Sequence, residues 1–214
     1  MVEGIIRVVL ADDHAVVRAG IRRLLEEAGD IRVEAEASSG EEFQDAYFKH
    51  RPVVGITDLS MPGIGGLEAI RRIRIKDESA RILVLSVHED VVFPMRVIKV
   101  GALGYLSKRT AADALLRAVH VVARGEKFLE REIAQKIALE SLGGLDDPLK
   151  GLTDREFEVF RMLAEGHSVN DVAQQLFLSS KTVGTYQTRI LQKTGTDNTA
   201  ALVRLAIRKG LIEP

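Results

Sequence analysis

Acidic side chains stand at the ends of two strand-like apolar runs in this sequence. Asp12 and Asp13 follow the run IIRVVLA, and Asp58 ends the run VVGITD. If these ends meet in one cleft, three like charges repel one another and favour a bound cation. Oxygen ligands without histidine or cysteine favour Mg²⁺, which accepts a few carboxylates and keeps several waters. The predicted ligands of Mg²⁺ are Asp12, Asp13, Asp58 and the backbone carbonyl of Ser60.

A hydroxyl and an ammonium stand at the ends of two further runs. Ser86 ends RILVLS, and Lys108 follows LGYLS. A metal ion, an ammonium and a hydroxyl around one carboxylate can neutralise the three equatorial oxygens of a phosphoryl group, which is the main requirement of phosphoryl transfer. Asp58 is therefore the predicted nucleophile that becomes an acyl phosphate, assisted by Lys108 and Ser86. Each residue taken alone fits a structural role at a strand end. Polar residues at all four strand ends together favour a role in phosphoryl transfer.

An alternating strand and helix pattern between Ile5 and Gly125 is expected to position these residues. Five β-then-α units predict an α/β fold, a doubly wound parallel sheet with helices on both faces. Three runs are almost continuously apolar, as central strands are, whereas RVEAEAS alternates and is predicted to be an edge strand. With the second strand at the edge, the expected order is 2-1-3-4-5. The ligand crevice of such a sheet lies at the carboxyl ends of strands one and three, so the three aspartates should converge.

The strand signal ends at Leu152, where a small all-α part begins. Thr153 and Glu156 have the spacing of a capping box at the first helix. The predicted helices are 154–165, 169–176, 180–194 and 198–208. Between the halves, Leu129, Ile133 and Ile137 recur at helical spacing and are followed by Gly, Asp and Pro, which predicts a short helix and a linker. That helix either pairs two chains or, as we favour, packs on its own domain. The predicted division is 1–125, a linker at 126–150, and 151–214.

The segment SVNDVAQQLFLSSKTVGTYQTRILQKTG predicts two helices joined by a tight turn, with Ser179 capping the second. Val183, Tyr186 and Ile190 fall on one face of that second helix. This is helix-turn-helix architecture, whose second helix enters the DNA major groove. The residues predicted to face DNA are Lys181, Thr182, Gly184, Thr185, Thr188, Arg189 and Lys193.

The charge distribution favours the same surface. Residues 179–194 carry three basic side chains and no acidic one, whereas 153–171 carry five acids and two arginines. One basic helix suffices for phosphate contacts but predicts modest affinity per subunit. A charged face on a protein-binding module remains the alternative.

Composition narrows the class of protein. Hydrophobic residues make up 46% and charged residues 29%, and the net charge is -1, which is typical of a globular protein. No window approaches the ~18 apolar residues of a membrane helix, and the N-terminus has no secretory pattern. The absence of cysteine excludes thiolate metal sites and favours the cytoplasm. No two histidines have the i, i+4 spacing of a helical zinc site, and we expect them to be surface or core residues.

The first 125 residues or so resemble the receiver domain of bacterial two-component response regulators. The similarity lies in LADDH, DLSMPGIGG, LSVHED and GALGYLSK. It implies that Asp58 receives a phosphoryl group from a phosphohistidine of a sensor histidine kinase. It further implies that Ser86 then moves toward the phosphate while Tyr105 swings inward. Many receivers have a cis proline after the lysine; Arg109 stands there, so no cis bond is expected.

The segment Leu152–Ile212 resembles a LuxR-type helix-turn-helix through LTDREFEVFRMLAEG, VAQQLFLSSKTVGTY and AIRKGLI. The whole chain therefore resembles a NarL/FixJ-type response regulator. This implies that helix 180–194 reads promoter DNA, that the last helix pairs two subunits into a homodimer, and that RNA polymerase is a further candidate partner. Many relatives have Lys and His where this chain has Gly184 and Tyr186. We therefore expect this chain to recognise different DNA bases from those relatives.

The predicted function is a phosphorylation-switched regulator of transcription, not an enzyme. One alternative is a DNA-binding regulator that needs no phosphorylation. A second is an Mg²⁺-dependent aspartyl-phosphate phosphatase, but enzymes similar to haloacid dehalogenases have a carboxylate two residues after the nucleophile, where this chain has Ser60. A third, a protein-interaction adaptor, predicts no salt-dependent affinity for DNA.

Overall fold

The chain divides into two compact units, Met1–Leu142 and Gly143–Pro214. The structure, a computed structural model, describes residues 4–87, 92–109, 112–142, 148–209 and 211–212. His88 and residues 143–147 of the predicted linker lie outside the described residues.

A sheet of six parallel strands forms the centre of the first unit. The strands are β1 (Ile6–Ala11), β2 (Ile31–Ala37), β3 (Val54–Asp58), β4 (Ile82–Ser86), β5 (Gly104–Ser107) and β6 (Phe128–Leu129). Their order is β2-β1-β3-β4-β5-β6, which confirms the predicted order of the first five. The sixth strand was not predicted, because two residues are too few to show the alternation that marks a strand. Leu129 lies in this strand and not in the predicted helix, which begins at Arg131.

The burial of the strands follows from their place in the sheet. Every residue of β3, β4 and β5 is buried, as expected for strands covered on both faces. In the edge strand β2, Val33 is buried and its neighbour Arg32 is exposed. On β3, Val54 and Ile56 belong to one core cluster, whereas Gly55 lies against the ring of Phe43.

The described part of the first unit contains six helices. They are α1 (Ala15–Glu27), α2 (Gly40–His50), α3 (Gly65–Lys76), α4 (Val92–Lys99), α5 (Ala112–Ala123) and α6 (Arg131–Leu142). Residues of α1 and α5 share the core cluster of Val54 and Ile56, whereas α2 packs against α3 and brings Phe43 to the other side of β3. Ile133 of α6 is buried and α6 packs against α4, so this helix packs on its own unit.

The second unit consists of helices in its described part. They are α7 (Asp154–Ala164), α8 (Val169–Gln175), α9 (Ser180–Thr194) and α10 (Thr199–Arg208), preceded by a 3-10 turn at Pro148–Gly151. The capping box is present: Thr153 N–H donates to Glu156 Oε2 at 2.7 Å, and Glu156 N–H donates to Thr153 Oγ1 at 3.3 Å. Ser179 caps α9 by accepting the N–H of Thr182 at 3.0 Å. Across the described ranges, no helix is long and apolar enough to cross a membrane.

Candidate functional site

Three aspartates and one histidine converge at the carboxyl ends of β1 and β3. One ligand atom from each of Asp12, Asp13, His14 and Asp58 lies within 4.8 Å of the others. Asp12 and Asp58 are 1% and 3% exposed, and the side chain of Asp13 is 28% exposed. The two buried carboxylates are held apart from water by the sheet, so their charge must be balanced locally.

The ammonium of Lys108 provides part of that balance. Its Nζ lies 2.6 Å from Asp58 Oδ2 and 2.7 Å from Asp12 Oδ2, and its side chain is 10% exposed. Burial acts to lower the pKa of Lys108, but the carboxylates of Asp58 and Asp12 outweigh it and raise that pKa. The backbone N–H of Lys108 donates to the carbonyl of Ser86 at 2.8 Å, which fixes the lysine next to the end of β4.

The loop after β3 closes tightly around Asp58. The N–H of Leu59 donates to Asp58 Oδ1 at 2.6 Å, and the N–H of Ser60 approaches the same atom at 3.4 Å. A Cβ at Gly66 would lie 1.9 Å from the carbonyl oxygen of Asp58, so only glycine fits there. Burial raises the pKa of Asp58 above its usual value, although Lys108 opposes this. Asp58 thus has one oxygen held by backbone donors and the other facing Lys108.

Two buried carboxylate oxygens of the cluster are left for another ligand. Asp12 Oδ2 and Asp13 Oδ1 have no hydrogen-bond partner within the described residues. Lys108 Nζ approaches the first at 2.7 Å and His14 Nδ1 the second at 2.8 Å, as ion-pair contacts outside hydrogen-bond geometry. Each atom thus has a nitrogen neighbour but no hydrogen bond, and hard oxygen donors of this kind are the ligands of a divalent cation. The residues present therefore fit a magnesium ion.

His14 is the member of this cluster that the sequence did not single out. The backbone N–H of His14 donates to Asp12 Oδ1 at 2.8 Å, so the residue also shapes the turn after β1. The sequence did contain one sign of this contact, because His14 directly follows Asp12 and Asp13. A search for pairs of histidines at metal-binding spacing does not detect a single histidine in that position.

Ser86 and Tyr105 lie in the interior, on neighbouring strands. Both are 0% exposed, and the β4–β5 register pairs Ser86 with Ser107 and Val84 with Tyr105. Ser60 is exposed after Asp58. Within the described ranges no peptide bond is cis, as expected from Arg109 after the lysine.

Helix α9 presents an exposed polar face in the second unit. Val183 and Ile190 are 0% exposed, which confirms them on the buried side of the helix, whereas Tyr186, predicted on the same face, is half-buried. On the other side Lys181 and Arg189 are exposed, and in the described part of the chain neither side chain forms an ion pair. Exposed Thr185 and Thr188 donate to the carbonyls of Lys181 and Gly184, each at 3.0 Å. Thr182 and Gly184 are half-buried.

Lys193 differs from the other predicted DNA contacts. Its Nζ lies 2.6 Å from Oε2 of Glu156, which is 3% exposed. Burial acts to raise the pKa of Glu156, but Lys193 and the capping residue Thr153 together lower it. The charge of Lys193 therefore ties α9 to the start of α7. The sequence spacing assigned Glu156 only to the helix cap. It did not predict the contact of Glu156 with Lys193, which lies 37 residues further along the chain.

Comparison with known proteins agrees with both units. Residues 8–120 match the response regulator receiver domain, and residues 150–206 match the bacterial regulatory proteins of the luxR family. The response regulator UvrY of Escherichia coli is 40% identical over 96% of this chain and 95% of its own length. The response regulator GacA of Pseudomonas aeruginosa is 35% identical over 97% of this chain and 98% of its own.

Solved structures give the same result. RcsB from Salmonella enterica serovar Typhimurium, bound to promoter P1flhDC in the presence of the phosphomimetic BeF3-, matches with a TM-score of 0.68 and 30% identity. The match covers 94% of this chain and 97% of that one. The fold and the site thus define a receiver joined to a LuxR-type DNA-binding domain, and the chain belongs to the NarL/FixJ-type two-component response regulators.

Proposed function

We propose that a sensor histidine kinase phosphorylates Asp58 and that this switches DNA binding and dimerisation. The proposed receiver is 1–125, the linker 126–150 and the DNA-binding domain 151–214. One observation carries the proposal: Asp58 is buried, contacts the ammonium of Lys108, and lies beside two carboxylate oxygens that have no hydrogen-bond partner in the described residues. This is the set of charges that phosphoryl transfer to a carboxylate requires.

Each residue of the cluster has a distinct part in that transfer. Asp12, Asp13, Asp58 and the carbonyl of Ser60 would hold Mg²⁺, which supplies positive charge to the phosphoryl oxygens. A carboxylate oxygen of Asp58 forms the new bond to phosphorus while the bond from phosphorus to the kinase imidazole breaks. Lys108, already 2.6 Å from Asp58 Oδ2, neutralises charge on the transferred group without moving far.

Two interior residues connect the phosphoryl group to the switch. Ser86 ends β4, and its backbone carbonyl accepts the N–H of Lys108; its hydroxyl would bind a phosphoryl oxygen. Tyr105 lies on β5, the strand that carries Lys108 at its end. The phosphoryl group is doubly charged, and it would bind one arrangement of these residues better than the other. A difference of a few kcal/mol is enough to shift the population between the two conformations of the receiver.

In the second unit we propose that α9 enters the major groove. The exposed charges of Lys181 and Arg189 would contact phosphates, with Thr182, Gly184, Thr185 and Thr188 beside the bases. Helix α10 would pair two copies on a twofold site, and RNA polymerase is a further proposed partner. The protein would act in the cytoplasm, in line with a chain that contains no cysteine. The DNA-bound RcsB structure supports the DNA-binding part of this proposal.

The chemistry of the loop argues against turnover as a phosphatase. Ser60 stands two residues after Asp58, and a hydroxyl is too weak an acid to protonate a leaving alcohol efficiently. The acyl phosphate would therefore serve as a signal.

The test compares DNA affinity with and without phosphorylation. Duplexes are selected from a random pool with the wild-type protein in Mg²⁺ and acetyl phosphate, and binding is followed by fluorescence anisotropy. We expect acetyl phosphate to tighten binding by the wild type about tenfold or more and to leave Asp58→Asn unchanged. Equal affinity of both proteins in both conditions would instead support a regulator that needs no phosphorylation.

A further inference from the structure

The turn between α8 and α9 contains a phenylalanine in an unfavourable environment. Phe177 has φ 52 and is 74% exposed. L side chains rarely adopt this left-handed region, and a bulky residue there is strained. An exposed ring also gives up the stabilisation that burial of phenylalanine normally provides. Both features cost stability, so the fold of the turn does not explain the phenylalanine.

The hydrogen bonds of the turn explain its conformation but not its ring. The N–H of Leu178 donates to the carbonyl of Ala173 at 2.8 Å, and the N–H of Phe177 donates to Gln174 at 3.3 Å. Such helix ends need one left-handed residue, for which glycine or asparagine is best suited. The same unit uses Gly166 (φ 93) after α7 and Gly195 (φ 64) after α9. Of these three described helix ends, the one next to the start of α9 has a large apolar side chain in this position.

The location of the ring indicates its partner. Phe177 lies two residues before Ser179, the cap of α9, and four before the exposed Lys181. In a helix-turn-helix the start of the second helix meets base edges while the first helix crosses the backbone, so the turn lies at the DNA surface. Among the large hydrophobic residues in the described part of the second unit, Phe177 is the exposed one. Residues 179–194 carry no acid that would repel DNA.

We propose that Phe177 packs against apolar C–H surface of DNA, either deoxyribose or the methyl group of thymine, beside the phosphate contacts of α9. This inference rests on the proposed DNA-binding function. It assigns affinity to an uncharged residue, and an apolar contact releases no counterions, so its contribution does not depend on salt. Phenylalanine is among the residues that contact thymine methyl groups in this way.

The experiment measures stability and DNA affinity on the same full-length variants. Phe177→Asn places a residue suited to the left-handed turn and removes the ring. We expect its Tm to rise while its Kd for the selected duplex increases about tenfold, with the salt slope unchanged. Phe177→Leu keeps an apolar side chain and should retain more of the affinity without gaining stability. Ile75→Asn, at a side chain 68% exposed on α3, is the control for loss of surface apolarity and should leave the Kd unchanged.

A duplex with uracil in place of thymine separates the two sources of apolar surface. If the methyl group is the contact, uracil weakens wild-type binding and leaves Phe177→Asn unaffected; if deoxyribose is the contact, uracil changes neither. Wild-type affinity in Phe177→Asn would overturn the inference, and so would a fall in Tm together with affinity, because the ring would then stabilise the fold. Failure of the wild type itself to bind any selected duplex would reject the DNA-binding function instead.

Discussion

The acidic cluster of the first unit and the basic helix of the second arrange charge in opposite ways. Asp58 and Asp12 are buried and share one lysine within 2.7 Å, whereas Lys181 and Arg189 are exposed and, in the described part of the chain, form no ion pair. Chemistry on a phosphoryl group needs charges fixed in place before the reaction, in a site that excludes water. Binding a polyanion needs charges that are free to meet it. The two functions therefore require different exposure and pairing of the charged side chains in the two units.

The largest effect is expected from removing a metal ligand, and it concerns the stabilisation of the fold by Mg²⁺. Mg²⁺ at about 100 times its Kd should stabilise the wild type by about 2.7 kcal/mol. We expect Asp13→Asn to abolish most of this stabilisation, because Asp13 Oδ1 is a buried oxygen without a hydrogen-bond partner in the described residues. Thermal unfolding with and without MgCl₂ measures the stabilisation by Mg²⁺. The control is Asp197→Asn, at an exposed position of the second unit. Equal Mg²⁺ shifts in Asp13→Asn and wild type would remove Asp13 from the metal site.

The pairing of Lys193 with Glu156 predicts a division among the basic residues of α9. Lys181→Ala and Arg189→Ala should each reduce the slope of log Kd against log salt by about 1. Lys193→Ala should leave the slope unchanged and lower the free energy of unfolding by about 1–3 kcal/mol, because Glu156 would remain buried without its ammonium. DNA titrations at several salt concentrations and urea unfolding of each variant decide this. A reduced slope in Lys193→Ala would show that this lysine contacts DNA after all.

A smaller effect is expected at the half-buried Gly184 of α9. A Cβ at this position would meet no atom within 4 Å. Gly184→Ala should therefore raise the free energy of unfolding by about 1 kcal/mol through helix propensity alone. Gly195→Ala is the matched control, since φ 64 there disfavours alanine and should give the opposite sign. Destabilisation by Gly184→Ala in urea unfolding would contradict the open surroundings of this residue.

The smallest effect concerns the pH dependence of stability. The contact with Asp30, together with the bond to the carbonyl of Leu116, raises the pKa of His120. A raised folded pKa gives stability that is fully present below the unfolded pKa and is lost as pH rises through the folded one. Because the side chains are 37% and 53% exposed, solvent screening limits this to about 0.5 kcal/mol.

The check is urea unfolding of wild type and His120→Gln on both sides of this transition. His120→Gln should remove the loss of stability that is expected of the wild type as the pH rises above about 6.5, the ordinary pKa of histidine. Parallel profiles of the two proteins would mean that the pair contributes nothing.

The features that the sequence predicted well are those whose signal is local and repeated. The alternating run of β2 predicted an edge strand and, with it, the strand order. The positions of Asp58 and Lys108 at the ends of apolar runs then predicted that these residues meet. What it missed depends on contacts between distant segments. Strand β6 exists because it pairs with β5, and the bond of Lys193 to Glu156 exists because α9 packs on α7. Neither leaves a pattern within its own segment.

The most direct measurement is the intact mass of the protein after incubation with Mg²⁺ and a small acyl-phosphate donor. Wild type and Asp58→Asn are compared under identical conditions, since the substitution removes the nucleophile and keeps the shape of the side chain. We predict one phosphoryl adduct on the wild type and none on the variant. An adduct of equal yield on both proteins, or none on the wild type with kinase and donor both supplied, would contradict the role of Asp58 as the phosphoacceptor.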